Sequence, residues 1–166
     1  GLPNYIMGKC LFGTDCSFEE LVEEYFQAAY GKDWESCFSY LSRLSSLCNC
    51  DYCNGKGSRQ NPAVAKNMKQ VAQTAETFLS VCAAQDKAAL PPVQQLFWKH
   101  LDYHRELLSK ALFLLADGRT QEAGEAWKTF TYYICSQEDT FQKALDVYRV
   151  VEVSTNYTGF PLIENF

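Results

Sequence analysis

Apolar residues recur at spacings of three and four along most of this chain, and no stretch of useful length alternates as a strand would. That periodicity gives each of a succession of helices one apolar stripe, and the stripes must be buried against one another. A first helix over 17–30 presents Phe18, Leu21, Val22, Tyr25, Phe26 and Ala29, with Ser17 and Glu20 as a capping box and Gly31 as a left-handed stop. Asp33 caps a second helix over 34–47, with Trp34, Cys37, Phe38, Leu41 and Leu44 on one face. The turn between the two is short, so they form an antiparallel hairpin. Residues 48–61 are rich in turn formers and carry no period. Asn61-Pro62 then opens a third helix over 62–84, faced by Val64, Met68, Val71, Ala72, Ala75, Phe78, Leu79 and Cys82. Pro91-Pro92 opens a fourth over 92–116, and after Asp117-Gly118-Arg119 a Thr120 cap starts a fifth over 120–151. The fold expected is all-α, an antiparallel helical bundle of about five helices in a single domain over 1–166. Residues 1–16 read as an extended linker from a preceding domain, and 154–166, with Gly159 and Pro161, as an extended tail.

At 166 residues, with 47% apolar and 21% charged side chains, the chain can build one packed core. No apolar run reaches the roughly 18–20 residues of a membrane span. A net charge of −5 with scattered Lys and Arg argues against tracking a phosphate backbone. Neither nucleic acid nor membrane is therefore an expected partner. Three of the eight cysteines, Cys37, Cys82 and Cys135, fall inside helical patterns, a usage that suits a reducing compartment and favours the cytoplasm. The Asn156-Tyr157-Thr158 sequon is one short match in a tail. The opening Gly1-Leu2-Pro3-Asn4, without Met, reads as a cloning scar followed by an internal cut.

The stretch Asn4-Tyr5-Ile6-Met7-Gly8-Lys9-Cys10-Leu11-Phe12, followed by Ser17-Phe18-Glu19-Glu20-Leu21-Val22-Glu23-Glu24-Tyr25-Phe26 and Tyr30-Gly31-Lys32, resembles a segment of bacterial glycoside-hydrolase-like proteins distantly akin to α-glucuronidases. The likeness spans about the first 45 residues, where such chains leave a (β/α)₈ barrel and enter a helical C-terminal domain. Phe12 stands where a Trp is more usual, and the Cys48–Cys53 cluster has no counterpart there. The resemblance implies a non-catalytic helical domain whose partner is a catalytic barrel preceding it in the same protein. The catalytic carboxylates would belong to that barrel, so no catalytic residue carries over and the chain itself is not expected to be an enzyme. Packing on the barrel and self-association are the two roles this implies.

Two constellations could carry chemistry independently. Cys48, Cys50 and Cys53 place three thiols within six residues of a loop. Zinc wants four ligands, commonly from two separated pairs, and the fourth here would come from Cys10, Cys16 or a His. Free loop thiols with no cofactor are the other reading. His100 and His104, four apart, fall mid-stripe on the fourth helix among Val93, Phe97, Leu107 and Ala111. Counting outward from Gly118 brings His100 level with Ser136 and beside Gln137 and Glu138, which interrupt the stripe of the fifth helix. Ala72 and Ala75 leave room near the same layer. Such a layer is either a small metal or polar-ligand site or a buried polar network that fixes helix register. A di-metal bundle would show Glu-x-x-His repeats, and none occurs. Trp98, Phe113 and Tyr132 fall off the inward stripes, where they can pack on a neighbouring domain or stack on sugar rings. No Ser-His-Asp arrangement, phosphate-cradling glycine loop or HExxH motif is present.

Overall fold

A computed structural model describes residues 1–13, 15–49, 61–84, 86–143 and 146–158, the side chains at 79, 104, 108 and 153–158 apart. Every regular element among the described residues is helical. In chain order they are α1 (Leu2–Leu11), α2 (Phe18–Tyr30), α3 (Trp34–Leu47), α4 (Pro62–Ala83), α5 (Pro92–Tyr103), a π-helical turn (His104–Leu108), α6 (Ser109–Ala116), α7 (Thr120–Ser136), the one-turn α8 (Glu138–Phe141) and α9 (Val147–Thr158). The short turns Gly31–Asp33 and Lys87–Ala89 are 3₁₀.

Local chemistry sets most of these ends. At the start of α2, Ser17 Oγ accepts the Glu20 N–H at 3.2 Å while the Glu20 carboxylate accepts the Ser17 N–H at 2.7 Å. That bonding also holds the Glu20 carboxyl below its ordinary pKa. Gly31, at φ +66°, ends α2, and a Cβ there would come within 2.9 Å of Gln94 Oε1. The Asn61 side chain accepts the Ala63 N–H at 2.9 Å, ahead of α4 with Pro62 in its first turn. α6 closes on Gly118, where the Arg119 N–H reaches the Leu114 carbonyl and the Gly118 N–H the Leu115 carbonyl.

The α5–π–α6 rod lies at the centre. α2 packs on α3 and on α5, α3 on α4, α4 on α6 and the π turn, and α7 along α6 and the π turn. One cluster joins Val22, Phe26, Tyr40, Met68, Phe78, Trp98 and Leu101, among others. The second joins Tyr103, Ala111, Trp127, Phe130, Ile134, Phe141, Val147 and Val151. The rod feeds both clusters and is buried on two sides.

The structure corrects several expectations. Residues 2–11 are helical, not an extended linker. α1 lies against α2, with Tyr5 5.5 Å from Tyr25 between ring centroids and Lys9 Nζ 2.7 Å from the Glu24 carboxylate. The tail is helical through Thr158, since α9 continues past residue 154; residues 159–166 lie outside the described ones. The expected fifth helix is broken. The backbone turns at Gln137 (φ −110°, ψ 16°), and a new start comes where Asp146 Oδ1 accepts the Arg149 N–H at 2.9 Å. Arg119, not Thr120, holds the cap position of α7, and Asp33 makes no side-chain cap bond to α3. Trp98 is fully buried, not on a flank, because its indole N–H reaches back to the Tyr30 carbonyl at the end of α2, at 3.3 Å.

Candidate functional site

At the level where the sequence placed His100 beside Gln137 and Glu138, the structure brings other residues together. Lys99 Nζ, not His100, reaches Gln137 Oε1 at 2.7 Å, and Glu138 is exposed. His100 turns along its own helix, where its Nδ1 lies 2.6 Å from Tyr103 Oη. Burial and, next, the neighbouring Tyr133 push the Tyr103 phenol well above its ordinary pKa, so it keeps its proton. Phe141 packs 6.3 Å from the imidazole, edge to face. Counting from the Gly118 turn thus found the right level, while the facing residue was off by one. The side chain of His104 lies outside the described ones.

His100 also lines a cleft of ≈ 270 Å³ between α2, α5 and α8, walled by Tyr25, Tyr30, Phe97 and Phe141. Phe97 meets Tyr25 at 6.0 Å and Tyr30 at 5.8 Å, edge to face in both cases. Such walls give a small ring-shaped guest an apolar fit with few polar handles.

Cys50 and Cys53 fall outside the described residues, so the loop cluster is represented by Cys48 alone, which is exposed. Among the described residues no group of three His, Cys, Asp or Glu is placed to hold a metal ion. Cys37 and Cys82 are buried and Cys135 is half-buried. Burial pushes the Cys37 thiol up to about 12, with Cys82 and Asp33 adding to the shift. These thiols act as small apolar fillers.

Ala72 and Ala75 do leave room, but not beside His100. They floor a groove of ≈ 550 Å³ on the opposite side of the rod, facing Arg105, Glu106 and Ser109 of the π turn and the residue after it. Sequence reasoning missed Arg105. The signal available was two small residues on α4 opposite a mid-helix arginine.

Among the described residues, exposed apolar side chains gather at α1 and the turn after it. α1 has no buried residue, and Met7, Leu11, Phe12 and Phe18 all stand exposed around the α1–α2 turn, Leu11 at 76% and Phe12 at 92%. Tyr132 and Tyr148 are exposed elsewhere. Among the described residues no helix is long and apolar enough to cross a membrane. Comparisons with protein-family models, with curated proteins and with solved structures returned no match.

Proposed function

We propose that this chain is a non-catalytic helical domain of a larger carbohydrate-active, glycoside-hydrolase-like protein, docked on a catalytic barrel through α1 and the α1–α2 turn. The observation that carries the reading is the exposed run Met7, Leu11, Phe12 and Phe18, on the segment that resembles the exit from such a barrel. Fully burying a side chain of this size is worth about 1.5–3 kcal/mol, so an apolar face here gains most of its stability from a partner. The other side of α1 is already committed: Leu2 and Ile6 pack on the bundle, and Lys9 pairs with Glu24. The helix is therefore held in place while Leu11 and Phe12 face outward. The buried free thiols Cys37 and Cys82 support a reducing compartment, the cytoplasm.

Hydrogen exchange of residues 2–18 in this chain and in the full-length parent tests the reading. Docking predicts strong added protection of α1 in the parent, abolished by Leu11→Ser with Phe12→Ser. Equal exchange in both proteins would end it. A second reading, a bundle that binds a small ligand, is favoured by the aromatic cleft at His100. It predicts that phenol or indole shifts the His100 and Phe141 resonances saturably.

A further inference from the structure

A tyrosine buried in a helical core brings along a hydroxyl that needs a partner or an opening. Tyr103 has a partner, its hydroxyl lying 2.6 Å from His100 Nδ1. Tyr30 has an opening. It is 4% exposed, and its hydroxyl makes no hydrogen bond among the described residues. Unlike the Tyr40 hydroxyl, which is shut away without a partner, the Tyr30 hydroxyl keeps some accessible surface. Tyr30 borders the ≈ 270 Å³ cleft between α2, α5 and α8, and that surface opens into it. Burial holds the phenol well above its ordinary pKa, with Cys37, Tyr25 and Tyr103 adding to the shift. The group in the cleft wall is therefore a neutral hydroxyl with a proton to donate.

The structure fixes that hydroxyl before any guest arrives. The Trp98 indole N–H bonds the Tyr30 carbonyl, and the two rings meet edge to face at 5.8 Å. Phe97 holds Tyr30 and Tyr25 by the same edge-to-face contact. The break at Gln137 sets α8 against α5, which brings Phe141 into the wall. Among the described residues no Lys, Arg, Asp or Glu lines the cleft. An anion would lose its water there without meeting a base, and a cation without meeting a carboxylate. A neutral guest escapes both costs. An apolar cavity of about 150 Å³ holds benzene, so this one has room for a benzene ring with about three further heavy atoms.

We propose that the cleft binds a small neutral aromatic compound carrying a hydrogen-bond acceptor, an aryl ketone being the simplest. The ring lies against Phe97 and Phe141, and the carbonyl oxygen accepts the Tyr30 O–H. This inference rests on the small-ligand reading of the same cleft and adds the chemistry of the guest. It uses neither the outward face of α1 nor a docked partner.

Acetophenone and ethylbenzene share one ring and nearly one shape, and only the first has an acceptor. Both are to be titrated into the whole wild-type chain and into Tyr30→Phe, with the Phe141 ring resonances reporting occupancy. The substitution removes one oxygen that has no protein partner, so the free variant should keep the wild-type urea midpoint. Acetophenone should bind the variant about fivefold more weakly than the wild type, the worth of one hydrogen bond, while ethylbenzene binds both alike. The carbon-13 resonance of Tyr30 Cζ, the carbon bearing the hydroxyl, gives an arm that needs no variant: in the wild type it should move further with acetophenone than with ethylbenzene. If neither compound moves the Phe141 resonances saturably, the small-ligand reading falls and the proposal falls with it. If both bind, but Tyr30→Phe weakens them equally or not at all, or Tyr30 Cζ responds to both alike, the cleft remains a binding site and the acceptor assignment is overturned.

Discussion

The Cys37 thiol is enclosed between α3 and its neighbours, with no surface exposed, and ionising it there would place a thiolate among apolar groups. Its pKa of about 12 stands above the ordinary value of roughly 8.5, so the folded chain keeps a proton that the unfolded chain gives up between those values. Stability is therefore fully present below about pH 8.5 and lost as pH rises through the folded pKa, at up to about 1.4 kcal/mol per pH unit. Burial raises Tyr30, Tyr40 and Tyr103 as well, so they push in the same direction at higher pH. Urea midpoints measured from pH 8 to 11 should fall steadily for the wild type and less steeply for Cys37→Ala. Parallel curves would mean that Cys37 is reached by water. Exposed Cys10 should meanwhile take a maleimide in the native state, whereas Cys37 and Cys82 should react only after unfolding.

At the scale of elements, α2 depends on its capping box, because Ser17 and Glu20 satisfy two N-terminal amides that nothing else reaches. Ser17→Ala should cost about 1 kcal/mol in denaturant unfolding and loosen the turn that presents Phe12 and Phe18. A loss within error would show that α1 packing alone sets where α2 begins. This end was legible in the sequence, as were α3 and α4, because each buries one face and its stripe runs uninterrupted from cap to stop. Elsewhere the physics was less local. α1 has no buried residue, carries Gly8 mid-helix and is stabilised by Tyr25 and Glu24 of another helix, so its own pattern says little. The rod is buried on two sides, and its π turn rotates everything after Leu108, so a stripe counted from Val93 to Ala111 drifts off register. Trp98 was misread because the rod is buried on two sides, although Lys99 meeting Gln137 shows that the helix level had been counted correctly. The break in the last helix did leave a trace: Asp146 before Val147 is an ordinary N-cap, hidden by the apolar spacing that continues through it.

For the whole molecule the rod decides whether two clusters behave as one. Trp98, Leu101, Leu112, Leu114 and Leu115 belong to the first, Tyr103 and Ala111 to the second, so the two interleave along one continuous helix. Unfolding either cluster would strip one face of the rod and leave its tryptophan or tyrosine in water, which penalises any half-folded state. The chain should therefore unfold in a single transition, despite having two apolar centres. Phe130, buried in the second cluster against Trp127 at 5.0 Å and Tyr103 at 5.9 Å, gives the test. Phe130→Ala should cost about 3–5 kcal/mol. If the rod couples the clusters, the loss must appear equally in a probe of the other one. Fluorescence of Trp98, with Trp34 and Trp127 replaced by Phe, should shift its urea midpoint together with far-ultraviolet circular dichroism. A Trp98 transition that stays put while the helical signal splits into two steps would show that the two clusters unfold as independent units.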